Sequence, residues 1–354
     1  MIGTDVFKIT KTKNSKLASL DMDRLPFGRY FTDHMLEVDY ENGAWGEVSI
    51  KPYQPISFDP SLAAIHYGQA IFEGVKAYKN KVGEVFIFRP EDNFKRFNIS
   101  AERMEMPTVP EEIFMEGMKQ LVKVDEAWIP EKHDYSLYIR PFMFATDEAI
   151  GVRPSLTYKF MIILSPTGPY YSEPMRIYAE EKYVRAVPGG VGFAKNAGNY
   201  GSSLYPSAEA KRKGYDQVLW MDAFEHKYVQ ECGTMNVFFI IGDKAITPSL
   251  AEGTILAGVT RDSVIELLKE MGLEVEERRL SIDEIMEAYK KGTLREVFGT
   301  GTAATVSPIR ELAYKDFVMK FDVDSWKIVP EIKSRVSDIK EGNAEDRFDW
   351  MVKV

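Results

Sequence analysis

The chain has 354 residues, of which 45% are hydrophobic and 28% are charged, and its formal net charge at pH 7 is −9. That length accommodates two ordinary domains or one large domain, and the composition is typical of a well-packed protein rather than a disordered one. Because the acidic balance argues against nucleic acid or an anionic membrane as a partner, a small-molecule substrate is favoured.

The sequence lacks the usual signals for disulfides, metal centres and secretion. Cys232 is the only cysteine, and the histidines at 34, 66, 133 and 226 are too scattered to form an HExxH-type site. The first 16 residues lack the apolar core of a signal peptide, and no apolar run reaches the roughly 18 residues of a membrane span. We therefore expect no metal site and a cytoplasmic location.

The first half of the chain alternates strand patterns with two helical patterns. Residues 1–26 are polar and lysine-rich, which predicts an N-terminal extension. Helices are predicted after Pro90 and Pro110, because apolar residues recur on one helical face in each stretch and proline suits a first turn. Strands are predicted within 43–50, 72–78, 85–88, 135–145 and 157–164. Together these elements predict a smaller α/β domain over residues 27–165.

A proline-rich stretch separates this domain from a second one. Ser165–Pro174 contains three prolines and a glycine, which resist both helix and sheet, so the interdomain linker is placed at 166–174. A larger domain is predicted over 175–354, and Ser281 and Glu284 form a capping-box pattern that fixes one helix start. Its predicted strands are 175–179, 217–222, 237–241, 273–277 and 295–299, and its predicted helices are 202–213, 258–271, 281–291 and 331–339.

Lys195 is the residue around which a functional site is predicted. It lies in Gly192–Leu204 among Gly, Ala and Ser residues, and no other cation occurs from Ala186 to Ala210. Small residues allow a flat ligand to approach the backbone, and an amine that is partly desolvated becomes more nucleophilic, as a Schiff-base lysine requires. The segment alone also suits a solvated lysine on a glycine-rich loop, so its interpretation depends on the rest of the chain.

Three further segments suggest a phosphorylated cofactor. Glu231 enters a Gly-Thr turn before an apolar strand, although a structural glutamate is also common there. Gly258 precedes a helix whose first N–H groups favour an anion, although Thr260 also suits an ordinary N-cap. Phe298–Thr305 imitates a dinucleotide-binding loop, but Ser307-Pro308 prevents the helix that such a loop requires and leaves an anion-binding turn. An amine, an acid and phosphate donors together match pyridoxal phosphate.

Several short motifs now identify a family. They are Phe31–Leu36, His66-Tyr67, Phe72–Ala77, Phe88–Pro90, Ser136–Pro141, Gly168–Tyr170, Gly192–Leu204, Glu231–Asn236, Gly258–Arg261 and Phe298–Ala303. These segments resemble the signature segments of branched-chain amino acid aminotransferases, which are class IV aminotransferases and fold-type IV pyridoxal phosphate enzymes. The resemblance covers residues 27–310, in the family's order. It implies a two-domain α+β fold like that of D-amino-acid aminotransferase, with the cofactor at the domain interface of a homodimer and 175–354 as the cofactor-binding domain.

The resemblance implies roles for individual residues. Lys195, Glu231 and Tyr200 would be catalytic. Lys195 would form the Schiff base with pyridoxal 5′-phosphate and shuttle the proton, Glu231 would hold the pyridine nitrogen protonated, and Tyr200 would hydrogen-bond the phenolic oxygen. The other cofactor-binding residues would be Arg96, Leu256, Gly258, Val259, Thr260 and Thr302.

The resemblance also implies a pocket for L-leucine, L-isoleucine and L-valine, with amino transfer to 2-oxoglutarate by a reversible double-displacement reaction. Arg140 would pair with the second carboxylate of glutamate, and the backbone of Thr302 and Ala303 would bind the substrate carboxylate. An apolar, aromatic pocket suits aliphatic side chains, although each aromatic residue also suits core packing. The side-chain pocket would consist of Phe27, Tyr67, Phe72, Tyr138, Tyr170 and Thr234, with Val152 from a neighbouring subunit.

Three alternatives stay open. Another class IV enzyme, such as a D-amino-acid aminotransferase or an aminodeoxychorismate lyase, would share the cofactor. The full set of Tyr138, Arg140 and Gly258–Arg261, together with the long first domain, argues against both. A nucleotide-dependent oxidoreductase is disfavoured because neither glycine-rich segment is a dinucleotide-binding fingerprint. A non-catalytic binding protein is least favoured, since Lys195, Glu231 and Arg96 are all present. Ala304–Ser307 stands where some vertebrate members carry a Cys-x-x-Cys pair, so redox control is not expected.

Overall fold

A computed structural model describes residues 7–171 and 173–354. The described residues form two compact units, a first unit of residues 7–170, 194–197 and 338–354 and a second unit of residues 171, 173–193 and 198–337. Residues 1–6 of the predicted N-terminal extension and Ser172 of the predicted linker lie outside the described part. No helix in the described part is long and apolar enough to cross a membrane.

The strands are numbered in chain order. They are β1 Phe7–Ile9, β2 His34–Glu41, β3 Ala44–Trp45, β4 Val48–Pro52, β5 Ala70–Phe72, β6 Val75–Lys79, β7 Val85–Phe88, β8 Ser136–Ala145, β9 Tyr158–Thr167, β10 Met175–Ala179, β11 Gln217–Met221, β12 Val229–Cys232, β13 Asn236–Ile241, β14 Lys244–Thr247, β15 Glu274–Glu277, β16 Leu294–Gly301, β17 Thr305–Tyr314, β18 Phe317–Lys320 and β19 Met351–Lys353.

The α-helices are numbered in the same way. They are α1 Ala63–Tyr67, α2 Pro90–Arg103, α3 Gly117–Val124, α4 Ala197–Arg212, α5 Val259–Glu270, α6 Ile282–Lys290 and α7 Ile328–Lys340. Short 3₁₀ turns occur at Leu17–Ser19, Glu126–Trp128 and Val323–Ser325. A π-helical turn at Glu112–Glu116 leads into α3, in the helix that the sequence predicts after Pro110.

The first unit is built on a mainly antiparallel sheet. Its strand order is β1-β4-β2-β9-β8-β6-β7-β19, with β3 paired to β2 and β5 paired to β8. Strands β8 and β9 pair along their whole lengths. Phe97 of α2 packs edge-on against Phe160 of β9 with ring centroids 5.5 Å apart, and Phe114 lies 5.8 Å from the same ring. Because buried aromatic rings remove so much apolar surface from water, these contacts hold α2 firmly on the sheet.

The second unit is built on a mixed sheet. Its strand order is β12-β11-β10-β17-β16-β13-β14-β15, with β18 paired to β17. Strand β10 is parallel to both of its neighbours, whereas β13 and β16 are antiparallel and place Asn236 opposite Thr300. Val237, Phe238 and Phe239 of β13 are fully buried. Strand β13 therefore fixes the backbone that leaves the turn between β12 and β13.

The domain boundaries differ from the prediction in two places. The predicted linker begins at residue 166, but Pro166 and Thr167 continue strand β9 because β8 extends far enough to pair with them. The predicted larger domain ends at residue 354, but residues 338–354 belong to the first unit. Strand β19 pairs with β7, and the Trp350 ring packs 5.9 Å from Phe88. These pairings join segments that are distant in the sequence, so local composition does not signal them.

The observed helix boundaries agree with the predicted ones more closely than the domain boundaries do, with one exception. Ser281 caps α6 by accepting a hydrogen bond from the Glu284 backbone N–H at 3.1 Å, as the capping-box pattern predicts. The predicted helix 202–213 instead begins at Ala197. The glycines of this segment suggest a loop, yet α4 begins at Ala197, two residues after Lys195. Tyr200 therefore lies on the first turn of α4.

Candidate active site

In the first unit, Lys195 is held through its backbone on both sides. Its N–H donates to the Ser100 hydroxyl of α2 at 2.9 Å, and its carbonyl accepts from the Phe72 N–H of β5 at 3.1 Å. The neighbouring Asn196 forms a β-bridge with Ile71. The Lys195 ammonium lies 5.1 Å from the centroid of the Phe72 ring. The amine is therefore presented from a fixed backbone rather than from a loose loop.

A buried ion pair lies on the same helix as Ser100. Arg96 donates from Nε and Nη2 to the two carboxylate oxygens of Glu73 at 2.7 and 2.8 Å. Glu73 has no exposed surface, and it also accepts from Asn93 at 2.8 Å. Burial opposes ionisation, but the charges of Arg96 and Lys195 hold the pKa of Glu73 below its ordinary value. The bidentate contact fixes the guanidinium of Arg96 in one orientation.

Helix α2 connects these two features. Ser100 lies one turn after Arg96, and its hydroxyl donates to the Arg96 carbonyl at 3.0 Å while it accepts from Lys195. Residues four apart share one face of a helix. One face of α2 therefore orients both the predicted Schiff-base lysine and the predicted phosphate-binding arginine.

Five predicted pocket residues form one cluster in the first unit. The Phe27 ring meets Tyr138 and Tyr170 edge-on, with centroids 4.8 and 4.9 Å apart. The Arg140 guanidinium donates to the Tyr138 hydroxyl at 2.9 Å and lies 4.6 Å from the Phe72 centroid. Burial, reinforced by Tyr138, raises the pKa of Tyr170. Since Phe72 also borders Lys195, the aromatic wall and the amine are neighbours.

Two other predicted pocket residues lie on exposed surface of the first unit. Tyr67 ends helix α1 and is 39% exposed. Val152 lies in the loop between β8 and β9 and is 90% exposed. Asp147 shapes the base of this loop by accepting from the backbone N–H groups of Leu156 and Thr157 at 3.0–3.1 Å. The loop is thus held at its base by hydrogen bonds and exposes an apolar tip.

In the second unit, Glu231 is a buried carboxylate with a buried counter-charge. It lies on β12, is 5% exposed and forms an ion pair with Arg185. Arg185 also donates to the backbone carbonyl of Thr254. Asn236 donates to Glu231 at 3.2 Å. A buried carboxylate is stable only when it is paired and hydrogen-bonded, so Arg185 and Asn236 are the groups that keep this acid in place.

The start of helix α5 lies close to Asn236, which also hydrogen-bonds Glu231. Asn236 donates to the Leu256 carbonyl at 2.9 Å, and Gly258 is the N-cap residue in extended conformation. No side chain caps the helix, so the alternative interpretation of Thr260 as an ordinary N-cap is wrong, and Thr260 lies inside the first turn. Val259 and Thr260 are buried there. The positive end of the helix dipole and these N–H groups favour an anion.

The remaining predicted residues of the second unit lie in turns or at a helix start. Thr302 and Ala303 form the turn between β16 and β17, where Gly301 pairs with Thr305. The Thr300 hydroxyl is buried and has no hydrogen-bond partner among the described residues. Thr234 is exposed in the turn between β12 and β13, and Tyr200 is half-buried on α4. The roles of these residues stay predictions.

Comparison with known proteins places the chain in a family. Residues 70–312 match the amino-transferase class IV family model. The chain is 51% identical over 354 residues to a probable branched-chain-amino-acid aminotransferase of Staphylococcus epidermidis, with 97% of this chain and 98% of the relative covered. It is 50% identical over 340 residues to branched-chain-amino-acid transaminase 1 of Bacillus subtilis, with 94% and 95% covered.

This chain belongs to the branched-chain amino acid aminotransferases of class IV. Among solved structures, it is similar to the branched-chain amino acid aminotransferase of Escherichia coli, with 27% identity, a TM-score of 0.74 and coverage of 90% of this chain and 98% of that one. It is also similar to a second branched-chain amino acid aminotransferase, complexed with N-(5′-phosphopyridoxyl)-L-glutamate, with 27% identity, a TM-score of 0.71 and coverage of 89% and 97%. The predicted fold class is confirmed, and the oxidoreductase alternative is wrong.

The donor set fits pyridoxal 5′-phosphate, the cofactor of this aminotransferase family. The first unit supplies an amine in Lys195 and a fixed guanidinium in Arg96, and the second supplies a buried carboxylate in Glu231 and the start of α5. A Cβ at Gly258 would clash with the Asn236 side chain. The close approach of that side chain to the backbone of residue 258 therefore requires glycine there. The roles of Lys195 toward the aldehyde, of Glu231 toward the ring nitrogen, and of Arg96 and the start of α5 toward the phosphate stay predictions.

Sequence reasoning missed the residues that support this aminotransferase site. Glu73 and Asn236 both lie in motifs that carry the family resemblance, but no role was predicted for either. A signal existed for Glu73, because a carboxylate within an apolar strand pattern must find a cationic partner when buried. Arg185 lies ten residues before Lys195 in a segment without a motif, and its pairing with Glu231 appears only in the fold.

Proposed function

We propose that this enzyme transfers the amino group of L-leucine, L-isoleucine or L-valine to 2-oxoglutarate, and catalyses the reverse reaction. The observation that carries the proposal is the cluster of Phe27, Phe72, Tyr138, Arg140 and Tyr170. It combines apolar walls with one guanidinium, next to the lysine that the chemistry requires.

The cluster suits two kinds of substrate. Aliphatic side chains of the branched-chain amino acids gain by leaving water for an aromatic-walled pocket. Glutamate and 2-oxoglutarate carry a second carboxylate, for which the Arg140 guanidinium is the matching partner. Arg140 Nε is buried and has no hydrogen-bond partner among the described residues. A carboxylate that reached this edge of the guanidinium would satisfy it.

Each predicted catalytic residue acts on a defined atom. When bound, pyridoxal 5′-phosphate supplies the carbonyl and the electron-accepting ring. Lys195 Nζ would hold the cofactor's aldehyde at rest and, once the substrate's amino group has displaced it, would carry the proton between the substrate Cα and the cofactor's C4′. Glu231, backed by Arg185, accepts the hydrogen bond of the protonated ring nitrogen. The N–H groups of Thr302 and Ala303 orient the substrate carboxylate, and Tyr200 hydrogen-bonds the phenolic oxygen.

The enzyme is also proposed to act as a homodimer. Ile150, Val152 and Leu156 are 76%, 90% and 70% exposed, although a protein rarely leaves clustered apolar side chains in water. The family resemblance assigns Val152 to the substrate pocket of a neighbouring subunit. A second copy of this chain is therefore the proposed occupant of this surface, and light scattering after size-exclusion chromatography tests it. A monomer with full activity would contradict it. The cytoplasmic location stays a prediction.

A substrate screen tests the activity. The purified enzyme is supplied with pyridoxal 5′-phosphate and 2-oxoglutarate, and glutamate formation is measured with L-leucine and with D-alanine. The expected result is rapid turnover with L-leucine and none above background with D-alanine. Turnover with D-alanine alone would favour a D-amino-acid aminotransferase. Release of pyruvate from aminodeoxychorismate would favour a lyase.

A further inference from the structure

Asn236 contacts several parts of the second unit's site at once. Its Nδ2 donates to the Glu231 carboxylate at 3.2 Å and to the Leu256 carbonyl at 2.9 Å. Its Oδ1 lies so close to the Gly258 Cα that a Cβ there would clash with it. A side-chain amide carries two donor hydrogens on its nitrogen, so these two contacts use both.

The orientation of this amide is determined by its partners. With the amide flipped, Oδ1 would face a carboxylate oxygen and a carbonyl oxygen, and all three groups are acceptors. Asn236 is only 6% exposed, and its backbone is fixed on β13 opposite Thr300. The side chain therefore has one arrangement that satisfies its neighbours.

We propose that Asn236 is the positioning residue that fixes Glu231, Leu256 and Gly258 relative to one another. The inference rests on the proposed function, in which these three residues meet the ring nitrogen, the ring face and the phosphate of one cofactor. A planar, rigid cofactor requires its three contacts at fixed separations. One buried amide, with two donated hydrogen bonds and an oxygen packed against the Gly258 Cα, sets those separations. Asn236 itself has no assigned contact with the cofactor or the substrate.

Asn236→Asp is the sharpest test, because it keeps the shape of the side chain and removes both donors. Its carboxylate would face the Glu231 carboxylate and the Leu256 carbonyl, and two carboxylates in contact tend to share a proton. We expect the dissociation constant for pyridoxal 5′-phosphate to rise about tenfold or more, the scale of losing a buried hydrogen bond. The pH dependence of the bound cofactor's near-visible absorption should also change, because Glu231 no longer carries a full charge beside the ring.

Thr247→Val is the matched control. Thr247 is fully buried on β14, and its hydroxyl donates to the Val237 carbonyl, one residue from Asn236, at 2.8 Å. The variant loses one buried hydrogen bond to the same strand without touching Glu231, Leu256 or Gly258. It should lower the melting temperature of the cofactor-free protein yet leave cofactor affinity and the pH profile unchanged. Equal losses of affinity in both variants would mean that Asn236 has only a structural role.

Gly258→Ala provides a second, independent variant if Asn236→Asp fails to fold. Gly258 has φ near −71°, which alanine adopts without strain, so its main new conflict is with the Asn236 side chain. We expect Gly258→Ala to weaken cofactor binding about tenfold in the native background and far less in Asn236→Ala, as coupled residues do. Additive effects, or unchanged affinity in every Asn236 variant, would overturn the proposal. A native protein that binds no pyridoxal 5′-phosphate would overturn the proposed function as well.

Discussion

Arg185 and Glu231 form a buried ion pair within the second unit, and the same guanidinium also donates to the Thr254 carbonyl. Each side chain of the pair has less than a tenth of its surface exposed. In the proposed function this carboxylate faces the ring nitrogen of the cofactor, and a buried carboxylate requires a counter-charge. The guanidinium of Arg185 supplies that counter-charge.

The first prediction concerns this pair. Arg185→Met leaves Glu231 buried without its counter-charge, and removing one partner of a buried pair costs about 3–5 kcal/mol. Urea unfolding should show that loss, and cofactor titration should show weaker binding. Arg176→Met is a suitable control, since Arg176 also pairs with a glutamate in the second unit but is more exposed and lies 3.7 Å from Glu311. An equal loss in both variants would argue against a special role for Arg185.

The second prediction concerns the amine. Lys195→Ala should abolish turnover, because the reaction needs this amine to hold the aldehyde and carry the proton. The phosphate contacts should still retain the cofactor, which fluorescence titration can measure. The control is Lys182→Ala, which removes an exposed lysine from a nearby part of the sequence and should leave activity unchanged. Activity that persisted in Lys195→Ala would refute the assigned role.

The third prediction concerns Glu73 and pH. Arg96 and Lys195 hold the pKa of Glu73 below its ordinary value of 4.5, so this carboxylate stabilises the fold above that pH. The stabilisation is lost as pH falls through the depressed value, because the unfolded chain then binds the proton first. Glu73→Gln should cost about 3 kcal/mol near neutral pH and should weaken the acid dependence of unfolding. Glu84→Gln, in an exposed pair with Lys353, should change both far less.

The fourth prediction separates the two substrates. Arg140→Met keeps an apolar side chain beside Phe72 and Tyr138 but removes the partner for a second carboxylate. The KM for 2-oxoglutarate should rise about 10- to 100-fold, as expected for a lost charged hydrogen bond, while the KM for L-leucine changes little. Steady-state kinetics with each substrate varied in turn measures both values. A parallel rise in the two would place Arg140 in general packing rather than in carboxylate recognition.

The fifth prediction concerns a buried lysine outside the site. Burial, with the charge of Lys76, lowers the pKa of Lys340 from 10.5 to about 7. Between these values the unfolded chain binds a proton that the folded chain does not, so stability should rise with pH across this window. Lys340→Met should raise the free energy of unfolding at pH 7 by about 1–2 kcal/mol and flatten that rise. Urea unfolding at neutral and mildly alkaline pH checks it, with exposed Lys353→Met as control.

Local sequence patterns predicted much of the secondary structure. The predicted strands 85–88 and 175–179 match β7 and β10, because a short apolar run with clear turn signals depends little on distant residues. The capping pair Ser281 and Glu284 likewise acts within one turn. Strand β19 was missed because three residues near the C-terminus form a strand only when β7 is available to pair with them.

The candidate site likewise contains residues that the local sequence identifies and residues that only the fold identifies. Lys195, Glu231 and the start of α5 stand out from their immediate neighbours in the sequence. Arg185 does not, because its importance comes from a partner 46 residues away that only the folded second unit brings into contact. Glu73 gains its role in a similar way from Arg96 on α2. Motifs therefore pointed to the residues that are predicted to take part in the reaction, and the fold was needed to find the residues that hold them in place.

An absorption spectrum of the purified enzyme tests the central claim most directly. With pyridoxal 5′-phosphate bound, the near-visible band should bleach when L-leucine is added without an acceptor, and it should return when 2-oxoglutarate follows. That cycle requires one lysine, one cofactor and a pocket that admits both substrates in turn. A band that stays unchanged with L-leucine, in enzyme shown to contain the cofactor, would contradict the assignment.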